Sequence, residues 1–161
     1  MTERLWAPWR KAYILGKKSK KCFACVAVRT KNTRKTYLLE HSQFSFSILN
    51  IFPYNNGHVL VLPKKHVGEL HQLSDSELLD LWKLVNRTML CVQREMKPHG
   101  FNIGLNLGKA AGAGLPGHVH VHIVPRWKGD ANFMPVVGKT KVISESLDSL
   151  HEKLRKGSQK K

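Results

Sequence analysis

The stretch Gly117-His118-Val119-His120-Val121-His122-Ile123-Val124-Pro125-Arg126-Trp127 decides how this chain is read. Histidines alternate with branched apolar residues. Successive side chains of a β-strand point to opposite faces. The pattern therefore predicts a strand over Val119 to Val124, with His118, His120 and His122 on one face and Val119, Val121 and Ile123 on the other. The apolar face would cement the strand to a core. The other would present imidazoles, each able to act as base, nucleophile or metal ligand. Two chemistries compete for them. One is a zinc gripped by two or three histidines with water as the remaining ligand. The other is catalysis by the imidazoles themselves.

Just upstream lies Asn106-Leu107-Gly108-Lys109-Ala110-Ala111-Gly112-Ala113-Gly114. Glycines let backbone N–H groups approach an anion closely, although they serve ordinary turns equally well. Directly before aligned histidines the segment reads as a phosphate cradle. Further upstream, Gly57-His58-Val59-Leu60-Val61-Leu62-Pro63-Lys64-Lys65-His66 places one histidine at the start of an apolar strand and another just past its end. The pair Cys22-Phe23-Ala24-Cys25 suits zinc or redox use. A thioredoxin-like βαβ context is missing. A closed zinc site needs two more ligands, and histidines are the residues on offer in quantity.

The chain has 161 residues, 42% of them hydrophobic, which suits one domain with its own core. The net charge of +16 attracts polyanions such as nucleic acid, membrane surfaces or polyphosphorylated small molecules. Much of it is concentrated in Lys17 to Lys21, Arg29 to Lys35 and Lys153 to Lys161, which reads as solvated surface or tail. No zinc-finger, helix-turn-helix or RNP-type pattern is present to read bases. A non-catalytic nucleotide- or nucleic-acid-binding protein is the contrasting class. No apolar run reaches the roughly 18 residues of a membrane span. The start of the chain lacks the apolar core of a secretory signal. Cys22, Cys25 and Cys91 cannot all pair within one chain, which points to a reducing cytoplasm.

Ser74 and Glu77 form a capping box before Leu78, Leu81, Trp82, Val85, Met89, Val92 and Met96, which recur at helical spacing until Pro98 and Gly100. A shorter helix is predicted from near Ser144, carrying Leu147, Leu150 and Leu154. Strands are predicted at Thr36 to Leu39, Phe44 to Asn50, His58 to Leu62, Phe101 to Leu107 and Val119 to Val124. Turns or loops join most of them. The expectation is an α+β fold: a mostly antiparallel sheet with one long helix and a short C-terminal helix, in a single domain over residues 1–155, with a disordered basic tail at 156–161.

Together these segments resemble the histidine triad (HIT) superfamily, over about residues 22–127. The flanks Leu5 to Arg10, Pro53-Tyr54-Asn55-Asn56-Gly57-His58 and Pro125 to Phe133 look like the branch that includes diadenosine polyphosphate phosphorylases. The resemblance implies a HIT-like fold and a covalent nucleotidyl-histidine intermediate on His120, the middle histidine. His122 would hydrogen-bond a phosphate oxygen or protonate the leaving group, and His58 would hold the network. Substrate contacts implied by position are Asn50 at the ribose, Ile51 and Phe23 against the base, and Asn106, Gly108 and Gly114 in the phosphate loop. Lys109 or Arg126 would serve a second anion. Many relatives carry aspartate where Asn50 stands, and Leu115-Pro116-Gly117 replaces an expected polar residue before the triad. Zinc-bearing relatives imply a structural Zn(2+) on Cys22, Cys25, His66 and His118. The implied activity is nucleotidyl transfer or hydrolysis on dinucleoside polyphosphates, with phosphate as acceptor in the leading case and water in a phosphoramidase or hydrolase. A homodimer is expected.

Overall fold

Short runs of β-branched and aliphatic residues, broken by turn residues, set the strands. The computed structural model describes residues 22–30, 33–130 and 143–159. β1 (Leu38–His41), β2 (Ser45–Leu49), β3 (Val59–Pro63), β4 (Gly100–Leu105) and β5 (Val121–Arg126) form one antiparallel sheet in the order β1-β2-β3-β5-β4. Among the described residues the α-helices are α1 (Phe23–Arg29), α2 (Thr33–Thr36), α3 (Asp75–Met96) and α4 (Leu147–Ser158). The α+β expectation, with its antiparallel sheet, long helix and C-terminal helix, agrees with this architecture.

Alternation along β3 and β5 divides the sheet into two faces. Val59 and Val61, with Val119, Val121 and Ile123, pack against Leu81, Leu84, Val85 and Val92 of α3 and Leu150 and Leu154 of α4. Leu60 and Leu62 face the other way and join Phe46, Ile48, Leu38 and the α1 residues Ala24 and Ala27. His58 lies two residues before Leu60 and so shares that second face. Leu60 sits opposite His122 in the β3–β5 register. His58 is thus a diagonal neighbour of His122, within reach of a long side chain.

α3 starts where the capping box places it. The Ser74 hydroxyl accepts from Glu77 N–H, and the Glu77 carboxylate accepts from Ser74 N–H at 2.8 Å. The helix ends at Lys97, whose φ of 50° is left-handed. The buried stripe is rotated from the expected one. Leu84, Thr88 and Cys91 are inside, whereas Trp82 stays 45% exposed. Trp82 shares the outer side of the helix with exposed Leu79 and Leu90, within about 80° of one another at 100° per residue.

Several boundaries differ from expectation. Thr36 closes α2 rather than opening a strand, because Tyr37 adopts a left-handed φ of 54° and separates helix from β1. The triad strand begins at Val121 and runs to Arg126, since Val119 N–H bonds Val67 O at 2.7 Å instead of a ladder partner and Gly100 pairs with Arg126. α4 begins after Ser146, whose side chain accepts from Ser149 N–H. It continues through Ser158, into the stretch expected to be a disordered tail. Gly157 is buried against Glu95, and the Arg94 guanidinium donates to its carbonyl, so burial and a hydrogen bond extend the helix past Arg155. Residues 160–161 and the flanks Leu5 to Arg10 and Ala131 to Phe133 lie outside the described residues.

Candidate active site

The three triad histidines are buried but point into different company. His118 and His120 lie in the segment leading into β5, and His122 lies in β5 itself. His120 Nδ1 is 2.8 Å from the carbonyl oxygen of His118. A carbonyl can only accept, so Nδ1 carries the proton and donates. In neutral His120 the lone pair is therefore on Nε2.

A second chain of bonds fixes the other two rings. Tyr54 main-chain N–H donates to His58 Nδ1 at 3.0 Å. Nδ1 must therefore accept, and the neutral ring carries its proton on Nε2. His58 Nε2 is 2.9 Å from His122 Nδ1 and donates to it. His122 then carries its own proton on Nε2. Among the described residues that nitrogen is buried and has no hydrogen-bond partner. A buried, unpaired donor is costly unless a ligand supplies the acceptor.

Both rings are neutral at pH 7. Burial, then the neighbouring His122 and His120, push the His58 pKa down to about 3. Burial and His120 push His122 down to about 4. The His120 and His122 ring centroids are 4.9 Å apart with a 59° tilt, so the two imidazoles are neighbours.

Asn50 completes the His58 end. Its Oδ1 accepts from Phe52 N–H at 2.9 Å, which orients the amide, and its Nδ2 lies 3.2 Å from His58 Nδ1. Tyr54 covers the pair. Its ring stacks on His122 with centroids 5.4 Å apart and a 16° tilt, and lies 4.7 Å from His58. Sequence reasoning did not single out Tyr54. Its signal was its place in Pro53-Tyr54-Asn55-Asn56-Gly57-His58, a tight turn ending at a site histidine.

A separate cluster brings together Cys22, Cys25, His66 and His118, with one ligand atom from each and all within 4.8 Å of one another. A tetrahedral zinc with Zn–N of about 2.05 Å and Zn–S of about 2.3 Å has N···N edges of about 3.3 Å and N···S edges of about 3.6 Å. The two Nδ1 atoms are 3.2 Å apart, and three of the four Sγ–Nδ1 separations are 3.3, 3.4 and 3.8 Å. The residues fit the ion. His118 Nε2 donates to Pro63 O at 2.8 Å, which leaves Nδ1 free to ligate. His118 thus belongs to this cluster, not to a three-histidine metal site with His120 and His122.

The remaining expected contacts are more open. Phe23 is 48% and Ile51 45% exposed. Asn106, Gly108, Lys109 and Gly114 lie on the loop from β4 into His118. Gly108 and Gly112 have φ of 77° and 86°, so the turn there favours glycine on backbone grounds. Leu115, in the stretch that departs from the expected polar residue, packs on the second apolar cluster, and its carbonyl accepts from His118 N–H. Arg126 is not a free cation for a second anion. It makes a two-pronged pair with Asp130, both bonds 2.8 Å, and donates to Asn102 at 2.7 Å.

A sheet with an imidazole relay on one face, beside a Cys₂His₂ cluster, defines a class, and comparison with known proteins agrees. A profile of the HIT domain matches residues 30–129, and the chain belongs to the HIT family. It is 37% identical over 153 residues to a Mycobacterium tuberculosis protein named AP-4-A phosphorylase, a match covering 90% of this chain and 78% of that protein. Among solved structures it resembles a hypothetical histidine triad nucleotide-binding protein from Sulfolobus tokodaii, with a TM-score of 0.68 and 27% identity, covering 86% of this chain and 92% of that one. It also resembles a zinc-bound histidine triad family protein from Mycobacterium smegmatis, with a TM-score of 0.63 and 25% identity, covering 76% and 83%.

Proposed function

We propose that this HIT enzyme transfers a nucleotidyl group from a dinucleoside polyphosphate to inorganic phosphate through a covalent intermediate on His120. The observation that carries the reading is the opposed state of two neighbouring rings. His120 is held with Nδ1–H on the His118 carbonyl, which puts the lone pair of the neutral ring on Nε2, the nucleophile in this reading. The neighbouring His122 ring, its centroid 4.9 Å from that of His120, offers an Nε2–H with no partner among the described residues.

In the first step Nε2 of His120 attacks the α-phosphorus. The P–N bond forms as the P–O bond to the polyphosphate breaks, and the electron pair leaves on that oxygen. The leaving phosphate is weakly basic, its second pKa near 6, so it needs no general acid. His122 Nε2–H is therefore best used as a fixed donor to a phosphoryl oxygen whose charge grows in the transition state. His58 passes no proton in this scheme; its Nε2–H keeps His122 in the donating form. In the second step a phosphate oxygen attacks phosphorus, the P–N bond breaks, and His120 is restored.

Asn50 Nδ2 has one further hydrogen for a ribose hydroxyl, Phe23 and Ile51 offer exposed apolar surface to a base, and the backbone of Asn106, Gly108 and Gly114, with Lys109, faces the phosphates. Zinc on Cys22, Cys25, His66 and His118 is structural in this reading: four protein ligands leave no open position. Its relevance to chemistry is indirect, since the carbonyl that orients His120 belongs to His118. A reducing, cytoplasmic setting is part of this reading, on the odd count of three cysteines. None of the described helices is long and apolar enough to cross a membrane. A homodimer would use α3 or a neighbouring strand: Trp82 of α3 is exposed, and so is Ile103 of β4, which is an edge strand among the described residues.

The phosphorylase subtype rests on the relative named above. Incubating diadenosine tetraphosphate with protein in the presence and absence of phosphate tests it. ADP and ATP formed only with phosphate support phosphorolysis. AMP and ATP in either condition mean that water is the acceptor, and no turnover overturns the enzyme reading for this substrate.

A further inference from the structure

The structure ties the turn that carries Tyr54 to a set of side chains, Asn55, Arg126 and Asp130, that neither the relay nor the metal cluster uses. The turn at Tyr54 to Gly57 lies against the end of β5 and the residues after it. Asn55 is buried, and its Nδ2 donates to Pro125 O at 2.9 Å and to Asp130 Oδ2 at 2.6 Å. Asp130 is in turn gripped by Arg126 and accepts from Trp127 N–H at 3.2 Å. Gly57 completes the fit. Its φ is 73°, and a Cβ there would come within 2.6 Å of Met96 Sδ and 3.1 Å of Pro125 Cγ. The turn is pressed onto the strand that carries His122, only a few residues along from it.

This turn is also what orders the imidazoles. Tyr54, adjacent to Asn55, supplies the N–H that makes His58 Nδ1 an acceptor and the ring that stacks on His122. His58 N–H returns a bond to Asn55 O at 3.2 Å. We propose that Asn55, Asp130 and Arg126 form a positioning clamp for the relay: by tying the Tyr54 turn to β5, they fix the direction of the His58–His122 hydrogen bond and the placement of His122 Nε2–H. None of the three touches the reacting atoms. Arg126 and Asp130 neutralise each other, which suits a clamp and not an anion site. The inference rests on the role given to His122 above.

The test compares Asn55→Ala, Asp130→Ala and the milder Asp130→Asn with the wild type, each metal-loaded and full length. Activity on diadenosine tetraphosphate is read as separate kcat and KM. Imidazole ¹⁵N shifts and the ring-current shifts of His58 and His122 are read by NMR on the folded protein, without substrate. Asn55→Ala and Asp130→Ala are expected to lower kcat about tenfold or more, with KM within about threefold, because small misplacement of a transition-state donor is costly. The His122 ring protons should lose the Tyr54 shift, and a variant combining Asn55→Ala with Asp130→Ala should be no worse than Asn55→Ala. If Asn55→Ala fails to fold, Asp130→Asn carries the comparison, with a smaller change in the same direction. A lower melting temperature with unaltered imidazole spectra would reduce the clamp to a stability element and overturn the proposal. If the wild type does not turn over this substrate, the spectra still decide the clamp, and only the function reading fails.

Discussion

Replacing His58 and His122 together by glutamine should remove a large, definite part of the protein's sensitivity to acid. Both rings are neutral in the folded state, with pKa values near 3 and 4, against about 6.5 in an unfolded chain. As pH falls below about 6.5, the unfolded chain binds protons that the folded chain refuses, so stability drops. At pH 5 each ring is about 1.5 pH units below its unfolded pKa while the folded form stays neutral. At about 1.4 kcal/mol per unit this is roughly 2 kcal/mol per histidine, about 4 kcal/mol for the pair. That compares with a total stability of about 5–15 kcal/mol for a typical domain. His118 and His41 are also lowered, chiefly by burial, and the metal cluster responds to acid, but these contributions are common to both proteins and cancel in the difference. Urea unfolding of wild type and variant at pH 7 and pH 5, followed by circular dichroism, measures it. The wild type should lose about 4 kcal/mol more than the variant over this interval. An equal loss within about 1 kcal/mol, or imidazole NMR midpoints near 6.5 for both rings, would refute the reasoning.

His120→Asn should abolish turnover while nucleotide affinity, measured by calorimetry, stays within about tenfold, since a nucleophile acts in the transition state and not in ground-state binding; near-normal turnover would end the covalent mechanism. Replacing Cys22 and Cys25 together with serine should remove one zinc per chain by elemental analysis and lower the melting temperature more than it lowers the activity of the folded fraction; carefully purified wild type without zinc would sink the assignment. Light scattering at micromolar concentration should give a dimer, and a mass near the 18.3 kDa of a single chain would refute the proposed pairing.

The period-two histidine run, the capping box at Ser74 and the apolar strand after His58 were legible because each is a local pattern with a local cause. Alternation in a strand assigns faces, and a hydroxyl three residues before a carboxylate caps a helix, whatever the rest of the chain does. The rotation of the α3 stripe was less visible. Trp82 is apolar and correctly spaced, but the sheet takes up the side marked by Leu84, Thr88 and Cys91, and only packing chooses between adjacent arcs of a helix. Tyr37 and Gly157 misled for a related reason: a left-handed residue moved the start of the expected strand to Leu38, and a buried glycine carried a helix into an expected tail.

The sequence by itself determined which residues could do chemistry: three alternating histidines, a CxxC pair and a glycine-rich loop before the triad. Their division of labour came only with the tertiary structure. One strand face predicts equivalent imidazoles, but His118 turns to Cys22, Cys25 and His66, His120 donates to the His118 carbonyl, and His122 receives from His58. Those assignments depend on groups far away in sequence: Pro63 O for His118, and for His122 the ring of His58, itself set by the nearby Tyr54 N–H. Likewise Arg126 reads as a free cation until folding sets Asp130 against it and Asn55 against Asp130. An imidazole has the same composition in either tautomer, and only its hydrogen-bond partners decide which nitrogen holds the proton.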